Sequence, residues 1–253
     1  MYYIMSDIHG CHKEFRSALR KWDDRREILV IMGDFIDRGP DSIKMIKELM
    51  ALKKAYGDRV IVLMGNHEQM LVSWLSENED YQDYYYSNTH LATLISALGS
   101  SRVIGVKPSK IAEYMFENYR EHIEWMESLP LFYETKKSIF VHAGVNFDLG
   151  DWREDSDYLL WARNEFIYSK TPHKKKVFFG HTRTNSIHSS DEIWISPNGK
   201  KVCIDGGVSN GGQLNALKVD EEGEIKEIYR IKSKKWIQSL LLRFSKLHHM
   251  SVL

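Results

Sequence analysis

At 253 residues, 43% hydrophobic and 28% charged, the chain is long enough to bury a substantial core and reads as one large domain with room for an insertion. Its 35 basic residues balance 35 acidic ones, which excludes a net field drawing it to nucleic acid or to an anionic membrane. No nucleic-acid partner is expected, and any attraction for anions must be local.

The opening MYYIMSDIHG lacks the basic start and apolar core of a signal peptide, and no apolar stretch reaches the ~20 residues of a membrane span. Cys11 and Cys203 lie far apart, with no knuckle or redox spacing. A soluble, cytoplasmic protein with two packed, reduced thiols is the expectation. Short apolar runs at 2–5, 28–32 and 60–64 are too short for lone helices and read as buried strands. Between them, residues 12–22 and 41–56 repeat apolar positions every three or four residues, which predicts helices, βαβ units and a largely parallel start to the sheet. The segment from about 81 to 129 differs, with YQDYYY, a break at 99–101 and a helical pattern over 111–126; it predicts a helical insertion or lid.

Runs at 139–141 and 177–179 again read as strands. After His181, alternating runs at 202–204, 214–219 and 225–231, with a turn at 220–223, predict a β-meander forming a second sheet. A single domain over 1–232 then gives way to a basic amphipathic tail, 233–253. There Trp236, Ile237, Leu240, Leu241 and Phe244 lie on one side, with Lys234, Lys235, Arg243 and Lys246 elsewhere. That tail is either a helix docked on its own domain or a helix for a membrane surface or partner.

The ionisable residues fall where the strands end: SDIHG at 6–10, GDFIDRG at 33–39, GNHE at 65–68, VHAG at 141–144 and FGHT at 179–182. Side chains leaving neighbouring strands at their carboxyl ends converge on one crevice. If strand geometry persists, Asp7 and His9, two apart, point to the same side and can grip one ion. Asp34, Asn66, His142 and His181 arrive singly beside glycine or alanine, which lets the backbone approach closely. Singly, a DxH can be a turn and GNHE a helix cap; together at five strand ends they point to a metal centre. Carboxylate, amide and imidazole donors without thiolate suit Mn²⁺, Fe or Zn²⁺ better than Ca²⁺ or a soft metal, and of these Mn²⁺ is the first expectation.

The order SDIHG, GDFIDRGPDS, GNHEQM, VHAG and GHT resembles the calcineurin-like metallophosphoesterases, and within them the small bacterial and phage-type serine/threonine phosphoprotein phosphatases. The resemblance runs from residue 1 to about 217 and includes WAR at 161–163 and CIDGGVSNGGQLNAL at 203–217. It implies an α/β fold, a two-sheet β-sandwich flanked by helices, and two divalent metal ions. Asp7, His9 and Asp34 would hold the first ion and Asp34, Asn66, His142 and His181 the second, with Asp34 bridging. It implies attack on a phosphomonoester by a metal-bridging water or hydroxide. His67 would be the general acid, Asp37 would fix its tautomer, and Arg38, Arg163 and Asn66 would grip the phosphate. Ser6 stands where Gly is usual, and Gly206-Gly207 where other small residues are common, so groove shape departs from the family while the ligands do not.

A phosphoprotein or a small phosphate ester is the expected substrate partner, with phosphoserine or phosphothreonine hydrolysis the first reading. The alternative is a symmetrical bis(5'-nucleosyl)-tetraphosphatase cleaving diadenosine tetraphosphate. Glu68, expected to brace its loop, tilts the reading away from that alternative, whose members tend to carry Asp there. A catalytically silent metal-binding module is the third reading.

Overall fold

Along the first strand Tyr2 and Ile4 pack to one side and Tyr3 and Met5 to the other, and both sides are apolar. Such a strand must be covered on both faces, which sets the layering of the molecule. The structure, a computed structural model, describes residues 1–76, 79–89, 91–170 and 174–233. The tail expected over 233–253 lies, after Ser233, outside the described residues.

The first sheet takes β1 (Tyr2–Met5), β2 (Ile28–Met32), β3 (Val60–Leu63), β9 (Gln213–Val219) and β10 (Ile225–Lys232) in the order β10-β9-β1-β2-β3. Strands β1, β2 and β3 run parallel, with Ile4 opposite Val30 and Val30 opposite Ile61. The second sheet takes β4 (Phe132–Glu134), β5 (Ser138–Val141), β6 (Lys176–Phe179), β7 (Trp194–Ile195) and β8 (Lys201–Cys203) in the order β4-β5-β6-β8-β7. Its three central strands are parallel.

The expected meander after His181 is not one sheet. Strand β8 joins β6 in the second sheet, whereas β9 and β10 return to the first and lie antiparallel beside β1. The reason is in β9 itself: Leu214 and Ala216 pack on the helical side and Leu217 and Val219 on the sandwich side. A strand apolar on both faces belongs inside a covered sheet, between β1 and β10.

Ile4, Val30, Met32 and Leu217 meet Phe140, Phe178, Val202 and Ile204 between the sheets. Phe140 and Phe178 stack there with centroids 5.3 Å apart. The outer face of the first sheet is covered by α1 (His12–Leu19), α2 (Ser42–Tyr56) and α3 (Asn66–Leu75), and by three helices in the segment before β4. These are α4 (Glu79–Thr89), α5 (Ala92–Leu98) and α6 (Pro108–Glu127). The outer face of the second sheet is covered by α7 (Ser156–Trp161) and α8 (Asn164–Ile167), through Leu159 and Phe166. A short α9 (Thr184–His188) follows β6. Among the described residues no helix is long and apolar enough to cross a membrane.

Candidate metal centre

Strands β1, β2, β3, β5 and β6 deliver Asp7, Asp34, Asn66, His142 and His181 within three residues of their carboxyl ends, from both sheets onto one edge. The backbone there is not extended. Asp7, His9, Asp34, Asp37, Arg38 and His181 all have φ between 46° and 65°, and only Leu91 and Ser189 share that property among the other described non-glycine residues. The left-handed region is costly for side-chain-bearing residues and concentrates at functional sites. Asp7 and His9 are therefore placed by a turn, not by the strand alternation that the sequence suggested. Close approach needs the neighbouring glycines: a Cβ on Gly180 would lie 1.9 Å from Asp7 Oδ2, and one on Gly65 2.3 Å from the Asp34 amide.

Two clusters form around Asp34, His9–Asp34–His67 and Asp34–His142–His181, each with its donor atoms within 4.8 Å of one another. The two carboxylate oxygens divide between them. Oδ2 lies 3.5 Å from His9 Nε2 and 3.9 Å from His67 Nε2, and Oδ1 lies 3.5 Å from His142 Nε2. Asn66 Oδ1 completes the second cluster, 3.0 Å from both His142 Nε2 and His181 Nδ1.

Proton positions follow from the partners. The Arg38 guanidinium can only donate, and it reaches His9 Nε2 at 2.7 Å and His67 Nε2 at 3.1 Å. Each ring's proton therefore sits on Nδ1, where His9 donates to the Ile36 carbonyl and His67 to Asp37 Oδ2, at 2.8 and 2.9 Å. His142 likewise donates from Nδ1 to the Met32 carbonyl. That leaves the His142 Nε2 lone pair facing the Asn66 and Asp34 oxygens and His181 Nδ1, 3.2 Å away. His181 Nε2 is buried without a partner. Converging lone pairs with at most one proton among them form a cation cradle, and backbone-anchored imidazoles are the usual support of metal-binding histidines. The donor set fits two divalent ions of the Mn²⁺, Fe or Zn²⁺ kind.

Charge states agree with this geometry. Burial lowers the pKa of His9, His142 and His181, in His9 with help from Arg38 and in His181 from His142 and Arg163, so the rings are neutral and ready to bind. Burial opposes ionisation of Asp34, yet His142, His67, His9 and His181 around it hold its carboxyl below the usual range. The backbone amide of His67, in the first turn of α3, donates to Asp34 Oδ1 at 3.0 Å. Burial and then the Asp34 charge push Asp7 up to about 7.

Asp7 belongs to neither three-residue group. Its carboxylate accepts the His181 backbone N–H and the Ser6 hydroxyl. Arg38 sits on the first cluster, reaching both His9 and His67, whereas Arg163 is exposed at the start of α8, near enough for its charge to be felt at His181. Glu68 braces its loop, as expected. Its Oε2 accepts from the Asp34 and Gly65 amides and its Oε1 from those of Phe35 and Ile36, at 2.8 to 3.1 Å, which ties the start of α3 to the loop after β2.

Sequence reasoning missed three supporting groups. Asp37 Oδ1 is held by the Tyr85 hydroxyl at 2.8 Å and the Thr93 hydroxyl at 2.6 Å, both from the helical segment before β4. Asp205, just after β8, is a buried carboxyl raised well above its usual range by burial and then by Asp7. In the sequence it appears only inside the CIDGGVSNGGQLNAL segment at 203–217, with no role attached.

The family model described as calcineurin-like phosphoesterase matches residues 2–209. The chain is similar to the symmetrical bis(5'-nucleosyl)-tetraphosphatase of Buchnera aphidicola subsp. Schizaphis graminum, 38% identical over 111 residues, 41% of this chain and 39% of that protein. It is also similar to the protein of the same description from Nitrosococcus oceani, 29% identical over 293 residues, with 87% of this chain and 93% of that protein covered. The match thus spans less than half the length of the first of these relatives. Among solved structures, one described provisionally as a diadenosine tetraphosphatase superposes with a TM-score of 0.58 at 19% identity, over 92% of this chain and 94% of that one. A serine/threonine phosphatase from Saccharomyces cerevisiae also gives 0.58, at 16% identity over 92% and 80%. Identities this low speak to the fold alone. With the family model covering most of its length, the chain belongs to the calcineurin-like phosphoesterases.

Proposed function

We propose that the chain is a metal-dependent phosphohydrolase that cleaves a dinucleoside tetraphosphate symmetrically, releasing two nucleoside diphosphates. The observation that carries the hydrolase reading is Asp34, whose two oxygens face two separate His clusters. Such a shared carboxylate is what a two-ion phosphoryl clamp requires. When bound, divalent ions supply an activated water and neutralise the phosphate oxygens as charge builds. In this reading Asp7, His9 and Asp34 hold one ion, and Asp34, Asn66, His142 and His181 the other. Arg38 and Arg163 orient the phosphates through their planar guanidinium forks, with the Asn66 amide beside them. His67 is the general acid: Asp37 holds its Nδ1–H, and Nε2, which faces Arg38 in the free protein, takes up a proton and passes it to the departing phosphate oxygen.

For the substrate, the descriptions of the curated relatives favour the phosphoanhydride over phosphoserine or phosphothreonine. The opposing signal at Glu68 loses its force, because that side chain is fully buried and spent on four backbone amides. Its identity shapes a loop and touches no substrate.

The test is turnover by the metal-free protein resupplied separately with Mn²⁺, Fe²⁺, Zn²⁺ or Mg²⁺, against diadenosine tetraphosphate and a phosphopeptide panel, with products separated by chromatography. ADP as sole nucleotide product is expected. A mixture of ATP and AMP would overturn symmetrical cleavage, and phosphate release from peptides with the dinucleotide intact would restore the phosphoprotein reading. Silence on both substrates with every metal would favour a binding module.

A further inference from the structure

Beside the metal centre lies an aromatic surface that the hydrolytic chemistry does not use. Trp161, the last residue of α7, sets its indole 6.2 Å from the His181 ring at an interplanar angle of 82°. Its Nε1–H donates to Gln69 Oε1 at 2.8 Å, which fixes the ring's orientation. The Tyr84 ring of α4 also lies 5.5 Å from the indole at 58°, and Tyr84 is 46% exposed. Tyr81, Tyr84, Trp161 and Asp157 line one open cavity of about 500 Å³. Arg163 follows two residues after Trp161.

This order, from cation cradle through a pinned indole to the exposed Tyr84 and half-buried Tyr81 phenols with a carboxylate among them, has a chemical reading. The ligand carries phosphate at one end and, about one nucleotide's length away, a flat π-system with hydrogen-bond donors near it. A half-buried indole held in place before binding, with the exposed Tyr84 ring packed against it, loses little conformational freedom when a base stacks on it. Asp157 offers acceptors for ribose hydroxyls or an exocyclic amino group. The volume is that of an ordinary small-molecule site.

We propose that the Trp161–Tyr84 cavity is the nucleobase subsite of the centre, stacking the base of a nucleotide whose phosphates reach the metal cluster. This rests on the nucleotide-substrate reading above and adds to it the residues that would recognise the nucleoside. Stacking of one base on aromatic side chains corresponds to about five- to a hundredfold in affinity on alanine substitution.

The test is calorimetric titration of the full-length, Mn²⁺-loaded protein with ADP and, separately, with pyrophosphate, which carries the phosphates without the base. The readout is the ratio of the two dissociation constants in wild type, Trp161→Ala, Tyr84→Ala and Trp161→Phe. Wild type is expected to prefer ADP, Trp161→Ala to lose that preference by about five- to a hundredfold, Tyr84→Ala to lose part of it, and Trp161→Phe to keep most of it. A general disturbance of the centre weakens both ligands together and leaves the ratio unchanged. The proposal is overturned by an unchanged ratio in Trp161→Ala, or by wild type binding ADP no better than pyrophosphate. Because titration does not require turnover, the two readings separate. Ring-dependent ADP binding without cleavage of diadenosine tetraphosphate keeps the subsite and removes the substrate, and cleavage with a flat ratio does the reverse.

Discussion

Tyr85→Phe tests whether the helices before β4 act on the chemistry or only cover the sheet. The Tyr85 hydroxyl is one of two donors to Asp37 Oδ1, the other being Thr93, while Asp37 Oδ2 takes the Nδ1 proton of His67. Burial and then the Asp37 charge push the Tyr85 phenol well above its usual range, so it remains a donor at any working pH. Asp37 is fully buried, and a hydrogen bond to a charged group is worth about 1.5–3 kcal/mol. With Thr93 still in place the loss falls at the lower end, about 1.5–2 kcal/mol, or a Tm about 3–8 °C lower for a chain of this size.

The kinetic consequence is selective. Positioned proton transfer contributes about 10²–10⁴-fold, and a loosened Asp37 surrenders a fraction of that, on the order of tenfold in kcat. The loss appears only where the leaving oxygen needs a proton. The assay is kcat for the Mn²⁺-loaded enzyme on phenyl phosphate, a poor leaving group, against 4-nitrophenyl phosphate, a good one, with Tm measured alongside. Tyr85→Phe is expected to fall on the first substrate far more than on the second. An equal fall on both, or a lower Tm with neither rate changed, would refute the link through Asp37 and leave Tyr85 a packing residue.

Asp34→Asn removes the one carboxylate common to both clusters, so metal content after dialysis is expected to drop from two ions per chain to below one, read by elemental analysis. Asp7 gives the pH dependence: its folded pKa, about 7, lies above the ordinary carboxylate value, so the ion-free fold keeps a proton that the unfolded chain has lost. Ion-free stability is therefore expected to fall as pH rises from about 4 through about 7, by on the order of 4 kcal/mol in the limit. Added Mn²⁺ should accordingly raise Tm more at pH 8 than at pH 5.5, and a larger rise at the lower pH would contradict the assignment. Asp34 has the opposite sign, its contribution being lost only as pH falls below the carboxylate range. Glu68→Asp shortens a side chain that holds four amides and is expected to lower stability by about 2–3 kcal/mol, read as a lower Tm, without changing the ratio of dinucleotide to phosphopeptide turnover.

The residues that gather around Asp34 were legible because each stands within a few residues of the end of an apolar run too short to be a helix, and parallel strands end on one edge. Which sheet a strand joins was not legible. In β9 the sequence alternates weakly and is apolar on both faces, and a doubly buried strand carries no mark of its neighbour. The Asp37 clamp was hidden for another reason. Tyr85 and Thr93 lie 48 and 56 residues from Asp37, on helices whose polar residues read as solvent-facing. Trp161 was noticed as part of WAR, but only its contact with Gln69, 92 residues away, shows a fixed ring rather than a surface one.

The same geometry explains why the metal centre and the substrate differ in how far sequence carries. Left-handed backbone at Asp7, His9, Asp34, Asp37, Arg38 and His181 costs about 1–3 kcal/mol at each residue and persists only where surroundings over-determine it. Here they do so through main chain: Glu68 fastens residues 34 to 36, and the amides of Asp7, His9 and Gly10 donate to the carbonyls of Gly33, Asp34 and Phe35. Donors, glycines and backbone bonds are thus fixed together, in short contiguous motifs that change little without breaking the site. The rim is built otherwise, from α4, α7 and the start of α8, helices that meet through side chains such as Tyr84 and Trp161. Such contacts can be exchanged one residue at a time while Asp34 and its histidines stay in place, so in the proposed function the centre carries the reaction and the helical rim the choice of substrate.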